Sequence, residues 1–273
     1  MHDFTELSIL IHVRIDVQDR LDNLEIVMDY YHANCKGVEF VIVNDDSKPD
    51  GRLKGLHKKY GSTSKFLFQE NDDEYHRTRA FNQASKTTNR KFLIIGDTDV
   101  IVHPKHIVEC MNVMKGNESV GGIYPYGGLF LHVKDKHKQT IKKTNDIDFL
   151  TDLIPVEENQ VPNYENDDIL VAHTESRGGC IIVTHDAWRA INGHNPNFVG
   201  WGAEDDEINH RMHVMGYQFP RFSVDDAIAW HLPHHNTVRD KEPYYSRNLK
   251  LREYVISIKT LDAMKEYIKT WSL

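Results

Sequence analysis

The chain has 273 residues, of which 40% are hydrophobic and 27% are charged, as in ordinary soluble proteins large enough to bury a substantial core. Its formal net charge of -8 argues against nucleic-acid binding, because that function needs a basic surface. Cys35, Cys110 and Cys180 lie far apart without metal-ligand spacing, so no disulfide framework is predicted, which fits a reducing compartment.

Targeting signals are not evident in the sequence. The first apolar run, 7–13, is too short for a secretory signal, and Ser8 and His12 interrupt it. No run approaches the roughly 20 apolar residues that a transmembrane helix needs. We therefore expect a cytoplasmic protein that is soluble or peripheral to a membrane.

The amino-terminal segment predicts a βαβ unit. The β-rich run 7–13 is followed by helical spacing of apolar residues over 21–32, and the sequence VEFVIV at 38–43 predicts a second strand. Right-handed crossover connections make two such strands parallel, so the pattern predicts an α/β protein.

Acidic pairs follow two of the predicted strands. Asp45 and Asp46 come after the second strand, and Asp97 and Asp99 come after the buried strand 91–95. Ligands of open α/β sheets lie beyond the carboxyl ends of the strands. Asp45 and Asp46 therefore either hold a ribose or base or form an Asp-rich turn. The second pair is either a turn or a set of oxygen ligands for Mg²⁺ or Mn²⁺ bridging a diphosphate.

The remaining elements follow from apolar spacing and turn residues. Helices are predicted at 53–60, 81–86, 104–114, 184–191 and 244–273, and strands at 65–69, 129–133, 169–174, 179–183 and 217–224. Thr184 is a plausible cap for its helix. We expect 134–168 to be an insertion over the active face, with its basic stretch 134–143 as a solvated loop rather than a binding patch.

The segment 192–207 is the most unusual part of the chain. Gly200, Trp201 and Gly202 precede four successive acidic residues at 204–207. Acidic residues often begin a helix, where they interact favourably with its dipole. Such a cap does not require the Gly-Trp-Gly sequence, so we interpret the segment as functional. We expect Asp206 and Glu207 only to begin the helix.

Several motifs together resemble one family. The segment from Arg177 to Glu207, with RGGC at 177–180 and AING at 190–193, closely resembles the substrate-site core of the β-1,4-galactosyltransferases, and more distantly the bacterial chondroitin-polymerase type of glycosyltransferase. Four further matches occur in the same order: His12-Val13-Arg14, Tyr75-His76-Arg77 with Asn82, Asp97-Thr98-Asp99, and His231 followed by RDKEP at 239–243.

The resemblance implies the GT-A fold, with a Rossmann-like nucleotide-binding sheet and an acceptor-binding carboxyl-terminal half. A single domain would span 1–273, divided into a nucleotide-binding half at 1–102, a donor, acceptor and metal half at 103–245, and a helical region at 246–273. The animal members carry an amino-terminal membrane anchor that is not seen here. The chain would then be a soluble microbial or viral enzyme or a trimmed catalytic domain.

The implied activity is inverting transfer of galactose or N-acetylgalactosamine from a UDP-sugar to a hydroxyl of a carbohydrate or glycoconjugate acceptor. Asp205 would be the general base, and Glu204 would orient the acceptor or the Trp201 segment. Trp201 would close over the donor and contact the acceptor. The implied cofactor is Mn²⁺, or Mg²⁺, with Asp99 and His231 as ligands. Asp97 would contact the metal, the ribose or the residues that ligate the metal. Residues implied in donor binding are Arg14, Asp45, Asp46, Arg77, Asp97, Gly178, Gly179 and Trp201.

Two departures from the family pattern leave alternatives open. Ile228 stands where many galactosyltransferases have a methionine ligand, so water could complete the metal shell. Ser176 precedes Arg177 where bulkier residues are usual, which leaves room for an N-acetyl group on the donor. A retaining polypeptide N-acetylgalactosaminyltransferase-like enzyme and a non-catalytic GT-A domain also remain possible, as does His234 or His235 as metal ligand in place of His231.

Overall fold

The computed structural model describes residues 2–154, 164, 166–222, 224, 226–235 and 243–271. The strands are β1 (His2–Asp3), β2 (Leu7–Val13), β3 (Cys35–Lys36), β4 (Glu39–Asp46), β5 (Ser64–Glu70), β6 (Phe92–Gly96), β7 (Val100–Val102), β8 (Gly122–Ile123), β9 (Phe130–Val133), β10 (Ile169–His173), β11 (Cys180–Thr184) and β12 (Ala229–His231). The helices are α1 (Gln18–Asn34), α2 (Leu53–Tyr60), α3 (Arg77–Ser85), α4 (Pro104–Gly116), α5 (Asp135–Thr144), α6 (Asp148–Asp152), α7 (His185–Ala190), α8 (Glu204–Val214), α9 (Tyr244–Ser257) and α10 (Leu261–Ile268), with a 3₁₀ turn at Gly61–Thr63.

A six-stranded sheet forms the centre of the fold, in the order β5-β4-β2-β6-β11-β8. Its first four strands are parallel, whereas β11 runs antiparallel to both β6 and β8. The predicted βαβ unit is confirmed, since α1 connects the parallel neighbours β2 and β4. A second sheet has the order β10-β9-β12-β7 and brings the chain around residue 231 beside that around residue 100.

The central strands are apolar because both faces of the sheet are covered. All five residues of β6 are buried, as are six of the seven in β2. Parallel strands buried on both sides typically show such continuous apolar runs. One hydrophobic cluster extends from Phe4 to Leu232 and joins both halves of the chain. A smaller cluster under α9 and α10 consists of Val255, Met264, Ile268 and Trp271.

Three sequence predictions are corrected by the fold. The basic stretch 134–143 is not a loop: it forms α5, because Lys138 and Ile141, one turn apart, are both buried. No strand occupies the described part of 217–224, where Gln218 and Arg221 form isolated bridges. The predicted carboxyl-terminal helix is two helices, α9 and α10, and Thr260 caps the second by accepting from the Ala263 amide.

Helix α8 is anchored by a buried ion pair. Both Glu207 and Arg211 are fully buried, and Arg211 Nε lies 2.9 Å from Glu207 Oε1. Arg211 also donates to the carbonyls of Ile191 and Gly193. Glu207 therefore does more than begin the helix. Removing one partner of such a pair is costly, so the start of α8 has a well-defined position.

None of the helices in the described part of the chain is long and apolar enough to cross a lipid bilayer.

Candidate active site

A cavity of about 630 Å³ opens at the carboxyl ends of β2 and β6. This size is typical of small-molecule sites. Its lining includes His12, Arg14, Tyr75, Arg77, Asp97, Asp99, Ser176, Gly178, Gly179, Trp201, Asp205, His231 and His234. The sequence motifs at 12–14, 75–77, 97–99, 177–180 and 200–205, although distant along the chain, thus meet around one space.

Three side chains on one wall could hold a metal ion. Asp99 Oδ1 lies 3.6 Å from His231 Nε2, and Asp99 Oδ2 lies 3.3 Å from His234 Nε2. One ligand atom from each residue lies within 4.8 Å of the others. The backbone fixes this arrangement, because His231 pairs with Val100 and the Leu232 amide donates to the Asp99 carbonyl at 2.7 Å. One carboxylate and two imidazoles suit Mn²⁺ better than Mg²⁺.

The group differs from the sequence prediction in two ways. His234 lies beside His231, although the sequence suggested it only as a replacement. Its position three residues after His231 is a sequence signal that could have identified it as a second ligand. Asp97 does not belong to this group; its carboxylate accepts from Arg77 Nη2 at 3.0 Å.

Arg77 connects the acidic residues of the cavity. Its Nη1 donates to Glu204 Oε1 at 2.9 Å and lies 3.9 Å from Asp205 Oδ2, while Nη2 contacts Asp97. Burial disfavours the charge, yet the carboxylates of Asp97, Asp205 and Glu204 hold the pKa of Arg77 above its ordinary value. Arg77 thus fixes the position of Asp97, which follows β6, relative to Glu204 and Asp205 at the start of α8.

Asp205 is the carboxylate with the strongest upward pKa shift among the described acids. Burial raises the pKa of Asp205 to about 8, with the negative charges of Glu204 and Asp97 adding to the shift and Arg77 opposing it. Its side chain is still 26% exposed, so a ligand in the cavity can reach it. A carboxylate with such a pKa is a strong base once it has lost its proton.

The glycine pair beside this carboxylate is explained by close packing. A Cβ on Gly178 would lie 2.5 Å from Asp205 Oδ2, and one on Gly179, which has φ +80°, would lie 2.6 Å from the Phe130 ring. Tyr126 donates its hydroxyl to the Gly178 carbonyl at 2.5 Å. Gly178 therefore leaves the space that the Asp205 carboxylate occupies.

Gly178→Ala is expected to displace the Asp205 carboxylate through the new methyl group, and so to lower kcat at least about tenfold for a reaction in which this carboxylate takes part, because a misplaced reacting group costs about this much or more. The matched control is Gly127→Ala, since a Cβ there meets nothing closer than 3.7 Å. Steady-state kinetics of both variants, with thermal unfolding to verify the fold, test this. Equal kcat in the two variants would refute the steric argument.

The Trp201 segment lies at the mouth of the cavity. Trp201 is 38% exposed and stacks on Tyr245 of α9 with ring centroids 5.8 Å apart. Gly200, Gly202 and Ala203 all have positive φ, which is costly only for the alanine. The segment therefore combines an exposed aromatic with the backbone freedom that a hinge needs.

The structure does not bring the predicted donor-binding residues of β4 to the cavity. Asp45 is fully buried and accepts hydrogen bonds from Gln69, Asn71 and the His76 amide. Burial alone would raise the pKa of Asp45, but these hydrogen bonds and His12 hold it far below its usual value. Asp46 also does not line the cavity; its carboxylate accepts from the Ser47 amide. Both residues lie within β4 rather than after it.

Arg14 lines the cavity, but its guanidinium is used to hold the neighbouring loop. It donates to the carbonyls of Asp45 at 2.7 Å, Asp73 at 2.7 Å and Asn71 at 3.3 Å. The cavity lining also includes His12 and Tyr75, which are not among the predicted donor-binding residues and whose ring centroids lie 5.8 Å apart. Both belong to motifs that carried the family resemblance, which was the available signal. The RDKEP motif begins outside the described residues.

Comparison with known proteins agrees with this geometry. Residues 166–235 match the family model described as the N-terminal domain of galactosyltransferase. Rat β-1,4-galactosyltransferase 6 is 31% identical over 101 residues, which is 37% of this chain and 26% of the rat protein. Human β-1,4-galactosyltransferase 5 is 34% identical over 84 residues, 31% of this chain and 21% of that protein. The chain thus spans about a quarter of the length of the curated relatives it matches.

Solved structures extend the likeness over nearly the whole chain. The catalytic domain of Drosophila β1,4-galactosyltransferase 7, in complex with xylobiose, has a TM-score of 0.52 at 16% identity and covers 96% of this chain and 84% of that one. GalNAc-T7 with UDP, GalNAc and Mn²⁺ has a TM-score of 0.60 at 12% identity and covers 96% of this chain and 50% of that one. The chain therefore has the GT-A fold of glycosyltransferases, and its segment 166–235 matches the family model of a galactosyltransferase domain.

Proposed function

We propose that this chain is an inverting, Mn²⁺-dependent glycosyltransferase that moves galactose or N-acetylgalactosamine from a UDP-sugar to a hydroxyl of a carbohydrate acceptor. One observation carries the proposal: the Asp205 carboxylate and the group of Asp99, His231 and His234 line the same cavity. A structure of a mutant of the Drosophila relative contains manganese, UDP-Gal and xylobiose, which supports this donor and acceptor chemistry.

In the proposed reaction, Asp205 accepts the proton of the attacking acceptor hydroxyl. The chemistry that a bound Mn²⁺ supplies is neutralisation of charge on the leaving UDP. Direct attack opposite the leaving group inverts the anomeric centre, so an α-linked donor gives a β-linked product. Glu204 is buried and does not line the cavity, and its carboxylate accepts from Arg77 at 2.9 Å, so of its two predicted roles we propose that it orients the Trp201 segment rather than the acceptor.

Trp201 is proposed as the moving part of the site. Closing the segment over the donor would exclude water and complete the acceptor surface. In this structure Trp201 stacks on the Tyr245 ring, Asn248 Nδ2 donates to the Val199 carbonyl at 2.9 Å, and the Gly200 amide donates to the Tyr75 carbonyl at 2.9 Å. Exclusion of water favours transfer to the acceptor over hydrolysis of the donor.

The choice of donor sugar depends on space near Ser176. This residue lines the cavity with a small side chain, and its backbone is fixed by hydrogen bonds to the Gly128 carbonyl at 3.0 Å and from Arg221 at 2.6 Å. A fixed small residue leaves volume for an N-acetyl group. Galactose and N-acetylgalactosamine are therefore both retained as donor sugars.

The deciding experiment is a transfer screen with UDP-Gal, UDP-GalNAc and UDP-glucose against a panel of sugar acceptors, with and without Mn²⁺. NMR of the product then identifies the anomer. A β-linked product formed only with Mn²⁺ supports the proposal, whereas exclusive use of UDP-glucose contradicts it. An α-linked product would indicate the retaining mechanism. Binding of UDP without any turnover would indicate a non-catalytic domain.

The pH dependence of the reaction provides a separate prediction. A general base acts in its deprotonated form, and the pKa of Asp205 is raised to about 8. The value of kcat/KM, which reports the free enzyme, should therefore fall about tenfold per pH unit below this pKa and level off above it. Mn²⁺ binding measured at each pH is the control. A flat profile between about pH 6 and pH 9 would contradict the base assignment.

A further inference from the structure

The geometry points to His132 as a positioning residue for His231: we propose that His132 fixes the ring nitrogen that His231 presents to the metal. The inference rests on the proposed metal-dependent function. His132 lies on β9 and does not belong to the group of possible metal ligands. It would act by holding a ligand, not by coordinating the ion.

The contact between the two imidazoles follows from strand pairing. His132 and His231 are register partners on the parallel strands β9 and β12, so their side chains extend on the same face of the sheet. Their Nδ1 atoms lie 2.8 Å apart, and their rings meet edge to face with centroids 4.6 Å apart. Phe130 contacts the His231 ring as well, at 5.4 Å between centroids. The His231 ring is thus confined between two side chains of β9.

The distance between the nitrogens fixes the position of one proton. Two Nδ1 atoms at 2.8 Å form a hydrogen bond only if one of them carries hydrogen and the other accepts. His231 Nε2 faces Asp99, so it must offer its lone pair there to bind a metal. The hydrogen of His231 then lies on Nδ1 and is donated to His132 Nδ1.

This arrangement has a consequence for metal affinity. A metal-bound histidine usually donates a hydrogen bond from the N–H of its second ring nitrogen to a carboxylate, carbonyl or water. Loss of that partner typically lowers metal affinity about 10- to 100-fold. Here a neutral imidazole takes that position. His132 would hold His231 in the tautomer and orientation that leave Nε2 available to the ion.

The test compares two variants of nearly equal shape, His132→Leu and His132→Asn, in the full chain. Leucine offers no acceptor, whereas asparagine places an amide oxygen near the position of Nδ1. We expect His132→Leu to weaken Mn²⁺ binding, measured by calorimetry, about 10- to 100-fold and His132→Asn to recover most of the affinity. Leu170→Ala is the control for disturbance of the strand, because Leu170 is the other register partner of His132.

The outcomes separate this inference from the proposed function. If His132→Leu is folded and binds Mn²⁺ like the original protein, or if His132→Asn binds no better than His132→Leu, the positioning role is refuted. If leucine prevents folding, His132→Phe, which keeps a ring without an acceptor, replaces it in the comparison. Loss of Mn²⁺ binding in Asp99→Asn supports the metal site whatever the His132 variants show. A failure of the unaltered protein to bind Mn²⁺ overturns both proposals.

Discussion

Asp205→Asn is expected to lower kcat by about 10²- to 10⁴-fold, the usual contribution of a positioned general base. Asparagine keeps the size of the side chain but cannot accept the hydroxyl proton. This loss corresponds to roughly 3–5 kcal/mol of transition-state stabilisation. Because burial and the negative charges of Glu204 and Asp97 already favour the neutral form of Asp205, replacing it by a neutral amide should not destabilise the fold. Rapid-mixing or steady-state kinetics at saturating donor and acceptor measure the effect.

Asp206→Asn is the matched control for this substitution. Asp206 is the next residue of α8, but its carboxylate contacts Arg177 at 2.8 Å and Arg252 at 2.9 Å, and it does not line the cavity. These pairs are partly exposed and contribute little to stability. The control should retain nearly full kcat, and UDP and Mn²⁺ should bind both variants alike. Full turnover by Asp205→Asn would remove this residue as the base.

Asp99→Asn is expected to weaken Mn²⁺ binding by more than about 100-fold, since the loss of a ligand should exceed the loss of a ligand's supporting hydrogen bond. Asp99 provides the only carboxylate of the three-residue group found in the described chain, so the substitution leaves two neutral imidazoles and an amide. Hard divalent cations prefer charged oxygen ligands. Calorimetry with Mn²⁺ and donor-hydrolysis assays with UDP-Gal should show parallel losses.

Asp226→Asn is the control for removing a carboxylate close to β12, the strand that carries His231. Asp226 precedes β12 and its carboxylate pairs with Lys105, with both side chains 44% exposed. An exposed pair contributes about 0–1 kcal/mol, so Mn²⁺ affinity and turnover should be unchanged. If Asp99→Asn and Asp226→Asn bind Mn²⁺ equally well, the group of Asp99, His231 and His234 is not the metal site.

The acidic residues at strand ends show where sequence reasoning succeeds and where it stops. The position of Asp97 and Asp99 after a buried apolar strand was enough to place them at the carboxyl edge of the sheet. Asp45 has the same kind of position in the sequence, yet its carboxylate is buried and accepts from Gln69, Asn71 and the His76 amide. Periodicity gives the location of a backbone segment. It does not show whether a side chain at the end of a strand faces the ligand cavity or accepts hydrogen bonds inside the protein.

The sequence by itself determined the α/β class, the parallel amino-terminal strands and the set of motifs that meet at the cavity. These depend on local patterns, namely apolar period, turn residues and the order of the motifs. The tertiary structure alone decided which acids act together. Arg77 contacts Glu204 across 127 positions of sequence, and His231 meets Asp99, His234 and His132 through the pairing of β12 with β7 and β9. The pKa of Asp205 depends on these long-range contacts, because burial and neighbouring charge exist only after the chain has folded.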